Sequence, residues 1–183
     1  MIGRIILAVL LSLILILPCV AQSDESAEMS PVPKGFGELA LGQDLERVKE
    51  ILLEDPNFDF RGDPDVSLLL RPNESLIECR GFAFIDRGYF QFYEKTLYTI
   101  TLVMNERMID HYTLYTRFAS KYGEPVRLSP TGAEWESEEV LFVLERPLSV
   151  KYVDRTTFEL LKRRGRIEDS ARDLSKEKFL ELF

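Results

Sequence analysis

The chain carries one histidine, His111, and two cysteines, Cys19 and Cys79. A nucleophilic site needs a Ser or Cys within reach of a base, and the cysteine–histidine pair on offer in the exported part is Cys79 with His111. Cys79 lies in Leu76-Ile77-Glu78-Cys79-Arg80, a strand-like run in which a cysteine serves as a small buried hydrophobe. His111 opens a predicted helix, an ordinary place for a polar residue. A zinc site needs several ligands at fixed spacing, which one His and one Cys cannot supply. No EF-hand spacing and no Gly-rich phosphate loop occurs, so the sequence names no cofactor, no metal and no catalytic residue. Carboxylates are more numerous: Asp63 with Asp65, and Glu134, Glu136, Glu138 and Glu139 around Trp135. Two of them facing one cleft would suit glycosidase-type hydrolysis. On a strand edge the same acids would guard against edge-to-edge pairing. Arg61-Gly62-Asp63 matches the short motif that integrins read, and Asn73-Glu74-Ser75 fits a glycosylation acceptor.

The N-terminus carries a clearer message. Arg4 precedes an apolar run from Ile5 to Leu17, broken by Pro18 and followed by Cys19-Val20-Ala21 and the polar Gln22-Ser23-Asp24. This is an export signal over residues 1–21. Three fates remain open. Cleavage after Ala21 uses Cys19 as the small residue three positions back. Lipidation at Cys19 would make it a membrane anchor, although Pro18 is not the small residue favoured there. Retention of the segment is the third, but the run falls short of the about 20 residues a membrane span needs. The protein is therefore expected to be exported to a periplasm or cell envelope, touching membrane only through its N-terminus if that segment is retained or lipidated. If cleavage follows Ala21, Cys79 is the sole remaining thiol and no internal disulfide can form.

Composition bounds the partners. Of 183 residues, 45% are hydrophobic and 11% aromatic, enough for a single cored domain. The net charge is −8. Without Arg4 the balance is 22 cations against 31 acids, or −9. An acidic chain of this kind argues against a nucleic-acid partner, because phosphate neutralisation needs a basic face.

The elements that would position these residues follow from periodicity. Residues 22–34 (QSDESAEMSPVPK) read as a disordered acidic tether. Residues 36–41 alternate like a strand. Gln43 or Asp44 caps a helix to about Leu53 with a stripe of Leu45, Val48, Ile51 and Leu52. After a loop-rich stretch, strands are predicted over 76–80, 81–85, 89–93 and 97–104, with Glu94-Lys95 as a tight hairpin. A second helix runs from about Asp110 to Tyr122 with a stripe of Tyr112, Tyr115, Phe118, Ala119 and Tyr122, stopped by Gly123 and Pro125. Short strands follow over 126–128, around Trp135, and over 140–144 and 149–153. Residues 156–183 read as one or two amphipathic helices broken near Gly165, with Lys162, Arg163, Arg164 and Arg166 on a solvated face. The expected fold is α+β over 35–155, an antiparallel sheet with two helices packed on one face in a helix-then-strands pattern repeated twice, plus the C-terminal helical extension.

Two segments resemble known families. Leu41-Gly42 with Val48 and Leu52 is similar to the opening of small BamE/SmpA-type and beta-lactamase-inhibitor-protein-like envelope domains, with Gln43 and Asp44 replacing their usual Met and Ser/Thr. Phe118-Ala119-Ser120-Lys121-Tyr122-Gly123-Glu124-Pro125, followed by Trp135, is similar to a helix, turn and Trp-strand pattern of many small exported bacterial proteins. The resemblance implies protein binding rather than catalysis and carries over no functional residue. The expectation is an exported, non-enzymatic domain that binds another envelope protein. Tyr89, Tyr93 and Trp135 are its candidate contact aromatics, since interface hot spots favour such side chains. An envelope hydrolase using clustered carboxylates, or a surface adhesin using Arg61 to Asp63, are the alternatives.

Overall fold

Asp44 starts the first helix. Its carboxylate accepts the backbone N–H groups of Glu46 and Arg47 at 3.1 and 3.0 Å, satisfying two donors that the helix itself leaves free. Helix α1 then spans Leu45–Glu54 and buries Val48, Ile51 and Leu52. The computed structural model describes residues 30–68 and 73–180. The export signal, Cys19 and most of the predicted tether lie outside the described residues. The end of that tether, residues 30–34, is docked rather than disordered. Ser30 donates its N–H to the Lys121 carbonyl at 2.9 Å, Lys34 pairs with Glu139, and Val32 packs against the core.

The stretch predicted as one strand over 36–41 is instead a small ribbon, β1 (Gly35–Phe36) with β2 (Leu39–Ala40). Gly37, at φ +59°, makes the reversal between them. Among the described residues the main sheet has nine strands, all pairs antiparallel. Strands β3 (Phe58–Asp59) and β4 (Val66–Leu68) both pair with β5 (Glu74–Gly81). From β5 the order runs through β6 (Ile85–Tyr93), β7 (Thr96–Met104), β11 (Ser149–Asp154), β10 (Val140–Glu145) and β9 (Gly132–Glu136) to β8 (Arg127–Ser129). Between β7 and β8 the chain forms helix α2, His111–Tyr122, and after β11 it forms helix α3, Arg155–Leu180. The protein is thus α+β and mostly sheet. Its two halves meet where β7 pairs with β11, Ile100 opposite Tyr152.

Local chemistry explains most of the boundaries. Glu94 and Lys95 both take positive φ, 50° and 66°, as the two-residue turn joining β6 to β7 demands. Asp110 accepts the Thr113 N–H at 2.8 Å and so fixes the phase of α2, which Gly123 ends at φ 84°. That phase turns Leu114, Tyr115, Phe118 and Tyr122 to the core and leaves Tyr112 74% exposed, so the predicted stripe was one residue out of register at its start. Gly165 does not break the last helix. A glycine there costs about 1 kcal/mol of helix propensity, and α3 continues through it.

The larger core is one buried cluster. Phe142 sits at the centre of its aromatic part, with ring centroids of Phe118, Tyr152, Tyr122 and Trp135 at 4.9, 5.0, 5.6 and 5.7 Å. Val48, Ile51 and Leu52 of α1 and Leu114 of α2 belong to the same cluster. Gly88 admits Phe58 to it: a Cβ at that position would stand 2.9 Å from both the Phe58 and Phe90 rings, which meet edge to face at 5.5 Å. A smaller cluster of Tyr93, Tyr98 and Leu161, with Leu160 against it, seats α3 separately.

Candidate functional site

The three candidate contact aromatics have different fates. Trp135 is 2% exposed, and its Nε1–H donates to the Gly123 carbonyl at 2.7 Å, tying β9 to the end of α2. Tyr93 is buried beneath α3, where its hydroxyl meets the Arg164 guanidinium and its ring lies 5.3 Å below it. Neither ring offers a surface while the fold is intact. Their alternating strand positions put them inward on β9 and under a helix that covers part of the opposite face. Tyr89 is half-buried and alone of the three keeps surface to offer.

Most of the candidate carboxylates are engaged in ion pairs, while Glu138 stands exposed. Glu134 pairs with Arg127 at 3.2 Å, Glu136 with Arg155 at 3.6 Å, and Glu139 with Lys34. Asp65 is buried and accepts both the backbone N–H and the guanidinium of Arg61. Burial pushes its carboxyl up, but the Arg61 hydrogen bonds and charge outweigh that and hold it below its ordinary value. Arg61 is therefore committed to Asp65, while Asp63 stands exposed beside Lys49 at 3.3 Å. Of the Arg61-Gly62-Asp63 triplet, Gly62 precedes and Asp63 opens a 3-10 turn over Asp63–Asp65. Cys79 is a free, buried thiol whose pKa burial pushes up to about 12, far from a nucleophile's range. No metal-binding group of three or more His, Cys, Asp or Glu side chains is found among the described residues, nor a helix long and apolar enough to cross a membrane.

Two features were not visible as sites in the sequence. The first is an apolar tip. Residues 81–85 do not form the predicted strand. Ala83 takes φ +51°, the Ile85 N–H reaches back to the Phe82 carbonyl at 3.0 Å, and the chain turns between β5 and β6. Phe82 and Phe84 are each 51% exposed, and Met108 on the loop after β7 is 53% exposed. Asn105 fastens the two loops together. Its backbone N–H donates to the Phe84 carbonyl at 2.9 Å and its side-chain amide to the Ala83 carbonyl at 3.1 Å. The second is a cleft of about 590 Å³ between the start of α2, β8 and the β10–β11 turn. His111, Tyr112, Tyr115, Leu128, Arg146 and Leu148 are among its lining residues. His111 lies in it without a cysteine, since Cys79 lines a different, polar pocket with Arg61, Asp65 and Arg87. The His111 Nε2 is buried and has no hydrogen-bond partner among the described residues. Burial first, and then the charge of Arg146, lower its pKa.

A family model, the TP0088 domain, matches residues 34–164, well over half of the chain. The chain belongs to the TP0088 domain family. No curated protein and no solved structure matches it. The TP0088 match begins at Lys34, where the docked segment meets β1, and ends at Arg164, the residue that caps Tyr93. It therefore takes in both features, the tip and the cleft, together with the first turns of α3.

Proposed function

We propose that this TP0088 domain is an exported, non-enzymatic binding or assembly-accessory module of the cell envelope, and that its partner is another envelope protein. The observation that carries the reading is the tip. Phe82, Phe84 and Met108 put three large apolar side chains into solvent from two loops that Asn105 holds together. Aromatic and Met side chains on a pre-organised platform are what protein interfaces use, because little ordering entropy is left to lose on binding. The export signal supplies the location, the acidic balance disfavours nucleic acid, and the two segments similar to small envelope domains support the same reading. In it, α1 and α2 pack on one face of the sheet and leave the tip at its end free for the partner.

The test is a photocrosslinking amino acid at position 84 in the full chain expressed in its own cells. A single protein adduct is expected, with the yield falling at least tenfold when Phe82→Asp or Met108→Asp is added and unchanged with Tyr112→Asp. Adducts to lipid alone, or a protein adduct indifferent to Phe82→Asp, would overturn the proposal.

A further inference from the structure

The cleft at the start of α2 is chemically unlike the tip. The apolar part of its wall is formed by Tyr112, Tyr115, Leu128 and Leu148 together with Pro130 and Pro147. Its volume lies within the about 300–1,000 Å³ common to small-ligand sites. Two nitrogen groups in it lack partners among the described residues, the exposed Arg146 guanidinium and the buried His111 Nε2. Tyr115 is already engaged, its hydroxyl lying 3.4 Å from Glu124. Two acids share the cleft. Asp110 is occupied as the cap of α2, accepting the Thr113 N–H at 2.8 Å and the Thr113 hydroxyl at 2.9 Å. Glu106 stands exposed.

We infer that this cleft is a binding site for an organic carboxylate carrying an apolar or aromatic side chain. Arg146 recognises the carboxylate, since a guanidinium offers paired donors that fit it. Tyr112, Leu128 and Leu148 take the apolar group. The charge of Arg146 already bears on His111. A carboxylate seated on Arg146 therefore offsets that charge and raises the proton affinity of the imidazole. The chemistry is common to a free acid and to the C-terminal residue of a polypeptide. The inference does not rest on the protein-binding reading, because a free acid fills the site without any protein partner.

The single histidine makes the test direct, because its imidazole signals in an NMR spectrum of the full mature chain need no assignment by mutation. N-acetyl-L-phenylalanine is titrated in, with its uncharged amide and phenethylamine as comparators. Saturable binding is expected, with the His111 titration midpoint moving upward and the amide binding at least tenfold more weakly. Arg146→Gln is expected to weaken the acid at least tenfold while the imidazole signals of the free protein persist. Equal binding of acid and amide, tighter binding of the amine, or a His111 midpoint that does not move would each overturn the assignment. Two further probes separate the sources. Tighter binding of 3-phenylpropionate points to a free acid, and tighter binding of an acetylated tripeptide ending in Phe points to a chain end. Loss of the crosslink at position 84 would leave this site standing, and failure of the titration would leave the tip standing.

Discussion

The two faces of the sheet are held in different ways. On one, Phe142, Trp135, Phe118, Tyr122 and Tyr152 join α2 to β9, β10 and β11 through five rings, and the cluster continues through Ile100, Phe90 and Phe58. On the other, α3 is seated by Tyr93, Tyr98, Leu161 and Leu160, with the Arg164 guanidinium over the Tyr93 ring. The first face carries the large apolar area that makes folding favourable. The second attaches an added element through a few contacts. The difference implies that the fold is set by the first face and that α3 is released at lower cost, a local opening rather than global unfolding.

The largest effect should come from the centre of the aromatic cluster. Phe142→Ala leaves a cavity bordered by four other rings and is expected to lower unfolding stability by about 3–5 kcal/mol. Urea denaturation followed by tryptophan fluorescence reads this directly, because Trp135 is the only tryptophan and lies 5.7 Å from the Phe142 ring. Leu161→Ala is expected to cost less, about 2 kcal/mol or below, since its cluster is small and already borders solvent. Its main signature should be faster amide exchange along α3 with β10 and β11 unchanged. If the Leu161 variant lost as much global stability as the Phe142 variant, the two faces would be one cooperative unit and the contrast would fail.

The contrast was only half legible in the sequence. Capping residues speak locally, so Asp44, Asp110 and Gly123 announced α1 and α2 to within a residue, and Glu94-Lys95 announced its hairpin. What periodicity could not supply was the side of the sheet on which a strand residue would land and what would cover it. Trp135 and Tyr93 carry the same signature of aromatics on alternating strands, yet one is sealed by α2 and the other by α3. Phe82-Ala83-Phe84 read as strand because its composition is strand-like. The turn there depends on the positive φ of Ala83 and on the clasp from Asn105, 22 residues away in the chain. The cleft was less visible still, since His111, Leu128 and Arg146 are brought together by tertiary contacts alone.

Asp65→Asn probes the margin of the first face, where β4 pairs with β5. The substitution removes a charge-assisted partner of Arg61 and is expected to cost about 1.5–3 kcal/mol. In the native protein its folded pKa lies below the usual 3.8. Its contribution is therefore fully present above pH 3.8 and is lost as pH falls through the folded value. His111 has the same sign in a higher window. Its folded pKa is depressed below 6.5, so stability is expected to fall as pH drops below 6.5 toward the folded value. Cys79 has the opposite sign: with its thiol raised from 9.0 to about 12, stability falls as pH rises from 9.0 toward 12. Thermal melts from pH 2 to 11 should show all three limbs. A chain carrying Asp65→Asn should lose the lowest one, and persistence of that limb would assign it to other carboxylates.

The smallest effect discriminates most finely between the faces. Tyr93→Phe keeps the ring over which Arg164 lies and removes only the hydroxyl that the guanidinium meets. A cation over an aromatic face is worth about 0.5–1 kcal/mol at a partly exposed site, and that term survives the substitution. The lost hydrogen bond is expected to cost about 1 kcal/mol or less, because the Arg164 guanidinium is exposed and water replaces the missing partner. Global denaturation should therefore hardly move, while amide exchange near Leu160 and Leu161 quickens. A loss of several kcal/mol on Tyr93→Phe would mean that this one hydroxyl helps hold the sheet itself together, and that α3 belongs to the fold rather than being attached to it.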